Sequence, residues 1–377
     1  MKNRLKDYVI VIPLHQPLGH PCDFIDQTAL ILARNNFVIL LDLQDFTPRQ
    51  STANNHGKIA RFFNNLKTIY SLSKTPLVYN AKDFLDVLQL RFLLWFKKKK
   101  VIIWGFDPIM DLIVHKLGET ISIYDCIDYL GDDEETSGAN ETEKKLFEKV
   151  DYIAFNSQGL YEKKYLNNRY IKKKSLVTFC GCVYDLFQIK TKVIPDDLKT
   201  IKGKKAILAG VFDYRLNIKL LEYIVVKNSD LHFIFIGPFL KNMSGDFFAL
   251  LKKNNVHYLG KMDKTKLPFY YKNSDVGIIP YDTALKVVKY GNPMKTYEYL
   301  ASGIPVVSTG IESLKNYPKD ILYANDNHKK FNKALLSLIG NWDSKKILRA
   351  KKIARENSWE NKVRKIENFI LSYGKIN

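Results

Sequence analysis

With 377 residues, 46% of them hydrophobic and 26% charged, the chain is too long for one ordinary core and too apolar to be disordered, so two domains of similar size are expected. A formal charge of +20 suits a nucleotide diphosphate, a nucleic acid or an anionic membrane face, and charge alone does not choose among these or set them apart from plain solvated lysines. No apolar run reaches the roughly 18 residues of a membrane span, and four cysteines (Cys22, Cys126, Cys180, Cys182) are too few for a disulfide framework in a chain this long.

In chain order, the basic start Met1–Asp7 leads into a short apolar run, Tyr8–Leu14. It has no small-residue cleavage site, so it reads as a first strand rather than a signal peptide, and a cytoplasmic location is expected. Further strands are expected at Phe37–Leu41, Val101–Trp104, Ile121–Tyr124, Tyr152–Phe155 and Leu176–Phe179. Amphipathic stretches such as Asp23–Arg34, Asp83–Phe96 and Glu141–Lys149 fall between them. These strands are β-branched, aromatic and almost continuously apolar, as strands buried on both faces of a parallel sheet are.

Periodicity weakens over residues 185–204, where Pro195-Asp196-Asp197 and Gly203-Lys204 mark the best linker. The alternation then restarts with strands Ala206–Ala209, His232–Ile236, Val276–Ile279 and Pro305–Ser308. Helices Leu216–Val226, Gly245–Lys252 and Pro293–Leu300 separate them, and a basic amphipathic helix, Trp359–Tyr373, closes the chain. The expected fold is therefore α/β, two Rossmann-like doubly wound parallel-sheet domains facing a cleft. Domains are expected at 1–195 and 196–358, with 359–377 as a final helix. No repeat of solenoid length is present. Residues 1–195 carry 27 Lys+Arg against 22 Asp+Glu and the remainder 32 against 17, so the cationic excess sits in the second domain.

The stretch from Lys289 to Ser308 carries the most chemistry. A buried strand ends at Pro280-Tyr281, and a helix is expected to begin with Asn292 as N-cap and Pro293 in its first turn. Such a helix start after a parallel strand is an anion site, and Lys289 and Lys295 add cations beside it. Lys295 and Glu298 are three apart and share one helix face. That pairs a cation for a diphosphate with a carboxylate for ribose hydroxyls.

Lys289-x-x-Asn292-Pro293-Met294-Lys295-x-x-Glu298-Tyr299-Leu300-Ala301-x-Gly303-x-Pro305-Val306-Val307 resembles the donor-site signature of GT-B glycosyltransferases, the glycosyl transferases group 1 family. The resemblance extends to Ala209–Asn217, Phe233–Pro238, Val256–Gly260 and Leu267–Tyr270, and in the first half to Tyr124–Tyr129 and Phe155–Ser157, with Ser358–Glu360 near the end. It implies that Lys295 contacts the diphosphate and Glu298 the ribose. Lys289 stands where the family usually has Arg, Met294 and Tyr281 line the nucleotide pocket, and the last helix braces the first domain. Many retaining relatives have an acid eight residues before Glu298, where this chain has Tyr290, so retention of configuration does not carry over.

For an inverting reaction the first domain offers Asp128, Asp125 and Asp107 near expected strand ends. Asp128 is the candidate general base, with a helix cap or surface carboxylate as the plain alternative. Arg215 either reaches the diphosphate or caps a helix start. Gly19, in His15-Gln-Pro-Leu-Gly19-His20, either lets backbone approach a phosphate or sugar or simply makes a turn. Asp132–Glu135 lacks metal-ligand spacing, and Cys180-Gly181-Cys182 is neither a redox nor a zinc pattern. Val87–Phe96 followed by Lys97–Lys100 is an ordinary helix end or a segment resting on an anionic membrane face, the first being preferred.

The expected reaction moves a sugar from a nucleotide-diphosphate sugar, a UDP-sugar first, to a hydroxyl of a glycan or lipid-linked acceptor in surface-polysaccharide assembly. No metal or other cofactor is called for. The alternatives are a nucleotide-sugar epimerase of the same architecture and a basic nucleic-acid-binding protein. No recognised nucleic-acid module supports the latter, and a dinucleotide fingerprint is absent.

Overall fold

The computed structural model describes residues 5–14, 23–43, 77–81, 84–130, 137–165, 169–189, 193–240 and 243–373. The chain divides into two compact units, Met1–Thr178 with Lys362–Asn377, and Phe179–Asn361.

The first unit is built on a seven-stranded sheet: β1 (Val9–Leu14), β2 (Phe37–Asp42), β3 (Leu77–Asn80), β4 (Val101–Gly105), β5 (Ile121–Cys126), β6 (Tyr152–Phe155) and β7 (Ser175–Val177). All pairings are parallel, in the order β3-β2-β1-β4-β5-β6-β7. The second unit holds six parallel strands: β8 (Lys205–Ala209), β9 (His232–Ile236), β10 (Val256–Tyr258), β11 (Val276–Ile279), β12 (Val306–Ser308) and β13 (Leu322–Ala324), ordered β10-β9-β8-β11-β12-β13. Both are doubly wound sheets, as the alternation of elements implies, and their order reverses beside β1 in one and β8 in the other.

The central strands follow directly from sequence. Every residue of β1, β4, β5 and β6 is buried, which is why β1, β4 and β6 read as unbroken apolar runs, while β5 also buries Ser122 and Asp125. The strands without a clear signal, β3, β10 and β13, are all at sheet edges and only three or four residues long. Such segments are too short for a period of two to emerge.

Phe179 and the residues after it belong to the second unit, ahead of the boundary expected at 195. Cys182 forms a parallel bridge with Ser358, and Gln188 Nε2 donates to the Ala301 carbonyl at 2.7 Å. Gly181 lies under Trp359, where a Cβ would come within 2.4 Å of the indole. The Cys-Gly-Cys run is thus a packing feature with two buried free thiols. Cys22 lies outside the described residues.

The closing helix, Trp359–Ser372, starts in the second unit and from Lys362 onward belongs to the first. There Lys362 forms a buried ion pair with Asp125 at 3.0 Å, Glu367 accepts from the Leu5 amide, and Phe369 meets Tyr152 edge-on.

Candidate functional site

In the second unit the strand order reverses between β8 and β11, and a ligand crevice is expected beyond their carboxyl ends. The chain leaves β8 at Gly210 (φ +126°) and β9 at Gly237 (φ +144°), both backbone states closed to most side chains. A Cβ on Gly237 would sit 1.8 Å from the Gly210 carbonyl oxygen, and one on Gly210 would sit 2.8 Å from Lys295 Nζ. Glycine at both positions lets the two strand ends touch and leaves room for the lysine.

Beyond β11, two backbone bonds tie the chain to the loop after β8. The Asn217 amide donates to Pro280 at 2.8 Å and the Asp282 amide to Arg215 at 2.7 Å. They fix Tyr281, which is buried. Lys295 Nζ donates to the Tyr281 hydroxyl at 2.6 Å and lies 4.8 Å from its ring centroid. The Arg215 guanidinium lies 5.7 Å from the same ring. Buried Asp213 holds it through Nε at 2.9 and 3.0 Å and Nη2 at 2.5 Å. Gly210, Arg215, Tyr281 and Lys295 are therefore gathered at one place.

The helix Lys295–Ser302 carries the signature residues inward. Its start differs from the sequence expectation. Met294, already in helical conformation, holds the cap position, and no side chain caps it. Asn292 does not cap; its Oδ1 accepts from the Tyr297 hydroxyl at 2.9 Å. With Pro293 beside it, a tyrosine one turn on competes for the amide, and sequence spacing cannot show that. Met294 itself is half-buried.

Glu298 is buried, with Oε1 3.1 Å from Lys264 Nζ and Oε2 accepting from the Tyr271 hydroxyl at 3.3 Å. Lys264 and Tyr271 were not legible in the sequence as site residues, since neither belongs to a recognisable spacing. Tyr299 packs its ring where a Cβ of Gly277 would fall, and its hydroxyl accepts from the Ala209 amide at 3.0 Å. Burial drives that hydroxyl's pKa far above the usual tyrosine range. The ring thus ties the signature helix to the end of β8.

Lys289 Nζ is 3.7 Å from Glu312 and 5.5 Å from the ring centroid of Tyr290, the residue in the place of the retaining enzymes' first acid.

In the first unit the three candidate carboxylates have different surroundings. Asp107 caps the 3-10 turn Pro108–Leu112, accepting from the Ile109 amide at 2.8 Å. Asp125 is fully buried against Lys362. Burial raises its pKa, opposed by the Lys362 ammonium and the Trp104 indole. Asp128 follows β5 in an exposed position. The loop that carries it is pinned by Asn156, whose Nδ2 donates to the Ile127 carbonyl at 3.1 Å. Beneath it, the Tyr124 hydroxyl and the Cys126 thiol both reach the fully buried Glu143, at 2.8 and 3.5 Å. That buried acid had no sequence signal, because an acid on an amphipathic helix is ordinarily assigned to its solvated face. Gly19 and the acidic run 132–135 lie outside the described residues.

Residues 214–341 match the sequence model of the glycosyl transferases group 1 family. A curated relative, "Putative teichuronic acid biosynthesis glycosyltransferase TuaH" of Bacillus subtilis (strain 168), is 26% identical over 237 residues, covering 60% of this chain and 58% of the relative. The match thus spans less than two thirds of that protein. Among solved structures, sucrose-phosphate synthase from Thermosynechococcus elongatus superposes with a TM-score of 0.67 at 13% identity, over 97% of this chain and 99% of that one. A glycosyltransferase from Rickettsia africae ESF-5 gives 0.67 at 11%, over 98% and 100%. Anabaena Alr3699/HepE in complex with UDP gives 0.66 at 12%, over 97% and 100%. At these identities the likeness is one of fold, and the fold is GT-B.

Proposed function

From a second unit that carries a segment of the glycosyl transferases group 1 family, we propose a glycosyltransferase that moves a sugar from a nucleotide-diphosphate sugar to a hydroxyl acceptor. The observation that carries the reading is the grouping of Lys295, Tyr281, Arg215 and Gly210 beside the β8–β11 reversal, with Glu298 on the same helix.

The chemistry assigns each residue a task. As the acceptor oxygen attacks the anomeric carbon, the bond to the diphosphate breaks and its electron pair leaves with the phosphate. Charge grows on the leaving group, and a cation placed there in advance favours the transition state over the ground state. Lys295 supplies that charge, with Arg215 and Lys289 as further cations. Glu298, held by Lys264 and Tyr271, accepts from the ribose hydroxyls. Tyr281 and Met294 line the nucleotide, and Asn292, whose Oδ1 accepts from the Tyr297 hydroxyl, stands just before the signature helix. Asp128, exposed after β5, takes the acceptor proton. In this reading side-chain cations stand where a metal would otherwise neutralise the diphosphate.

The donor proposed first is a UDP-sugar, supported by one structural neighbour, Anabaena Alr3699/HepE, solved with UDP and again with UDP and glucose. The acceptor proposed is a lipid-linked or surface-polysaccharide intermediate, supported by the name of the Bacillus relative. A cytoplasmic site of action goes with that acceptor. Among the described residues no helix is long and apolar enough to cross a membrane.

The test is mass-spectrometric product analysis with UDP-sugars and a polyprenyl-linked glycan acceptor, comparing wild type with Lys295→Ala. A glycosylated acceptor formed by wild type and lost in the variant is the expected outcome. Conversion of the sugar nucleotide with no acceptor present would replace the reading with an epimerase.

A further inference from the structure

The helix Phe84–Phe96 joins β3 to β4 in the first unit and is apolar on opposite faces. Its inner face, Val87, Leu90, Leu93 and Leu94, is buried. Its outer face is Leu85, Leu88, Phe92, Trp95 and Phe96, from 41% exposed at Leu88 to 71% at Trp95. The intervals of three and four residues put these side chains on one stripe. Three aromatic rings close its C-terminal end, with Phe92 and Phe96 centroids 4.7 Å apart and Trp95 and Phe96 5.0 Å apart. A contiguous apolar stripe in water is unfavourable and marks an interaction surface.

The charge around the stripe selects its partner. Lys97-Lys98-Lys99-Lys100 follows without a break, and Lys98, Lys99 and Lys100 are exposed. Lys97 lies over the Phe37 ring at 3.9 Å. Arg91, also exposed, stands on the stripe itself. Lys99 lies 3.8 Å from Asp7. A protein partner would ask for acids matched one by one. A fluid anionic surface asks only for aromatic rings at headgroup depth and lysines around them. At 13 residues the helix is too short to span a bilayer, so it would lie in the interface.

We propose that the Leu85–Trp95 stripe with Lys97–Lys100 docks this chain on an anionic phospholipid bilayer. The proposal deepens the lipid-linked acceptor of the preceding reading. It concerns a surface of the first unit, so it can fail while donor binding by the second holds, and the reverse.

The test is cosedimentation of the full chain with vesicles of phosphatidylglycerol and phosphatidylcholine, beside vesicles of phosphatidylcholine alone. Binding to the anionic vesicles should be at least tenfold tighter and should fall with salt. Phe92→Ser with Trp95→Ser should abolish it, with unchanged thermal unfolding because both side chains are exposed. Neutralising Lys98→Asn, Lys99→Ala and Lys100→Ala together should weaken it about a hundredfold, or about fivefold for each lysine near the surface. Asparagine is chosen at position 98 because that residue has φ +49°. Equal binding to both vesicle types, or none to either, would overturn the proposal. So would a dimer in solution that Trp95→Ser dissolves, since the stripe would then belong to a second copy.

Discussion

In the first unit, the acids near the ends of β4 and β5 are largely bound up in holding the fold: Asp107 caps a turn and Asp125 is buried against Lys362. In the second unit, the equivalent ends of β8 and β11 gather cations, with Lys295 over Tyr281 and Arg215 held beside the same ring. The sheets share a strand order around their reversal points, β3-β2-β1-β4 in one and β10-β9-β8-β11 in the other. One topology therefore serves two ends: a buried ion pair that anchors the closing helix, and a cluster of cations around Tyr281. What differs is burial. A charge fully out of water must be matched within the protein, whereas a half-exposed one remains available to a ligand.

The largest effect that would break this contrast is on the first unit's pair. Asp125→Asn leaves Lys362 buried beside a neutral amide and should cost about 3–5 kcal/mol in urea unfolding. Asp125→Leu combined with Lys362→Met should recover most of it. A loss under 1 kcal/mol for the single variant would mean that water reaches the pair. Next is Lys295→Ala, which should lower transfer by about 10²–10³-fold. Its melting temperature should stay near that of wild type, because the side chain is only half-buried. A collapse in stability instead would make Lys295 a structural residue like Lys362.

Smaller again, Glu298→Gln keeps the shape but weakens the charge match to Lys264. Donor affinity should fall about tenfold, or about 1.4 kcal/mol, by titration. Unchanged affinity would remove the ribose from the assignment of Glu298.

The smallest effect is at the opposite end of the second sheet, where His232 Nδ1 and His257 Nε2 are 3.0 Å apart. Burial, with His232 and Lys205 nearby, lowers the His257 pKa from its usual value. Its contribution to stability is therefore complete above the unfolded value, about 6.5, and is lost as pH falls through the lower folded value. Unfolding temperatures measured below pH 6.5 should drop less for His257→Asn than for wild type, and parallel curves would contradict this.

The interior of the first unit's sheet was readable because β1, β4 and β6 are buried along their whole length and leave unbroken apolar runs. Edges were not, since β10 and β13 each have three residues, two of them only half-buried. Within the site, Lys295 and Glu298 could be read from their spacing along one helix. Lys264 could not, because it arrives from a loop before the helix Leu267–Lys272. The cap at Asn292 failed for a related reason: Tyr297, one turn on, takes its side-chain oxygen. The Asp125–Lys362 pair joins positions 237 residues apart and exists only once the closing helix has docked.

The central claim is that the second unit holds a nucleotide-diphosphate sugar at Lys295. It is tested most directly by calorimetric titration of wild type and Lys295→Ala with UDP, GDP, CMP and NAD. The account predicts that wild type binds one nucleoside diphosphate selectively, UDP first, and that the variant loses it. Binding of NAD alone, or equal binding of a diphosphate by both proteins, would contradict the claim.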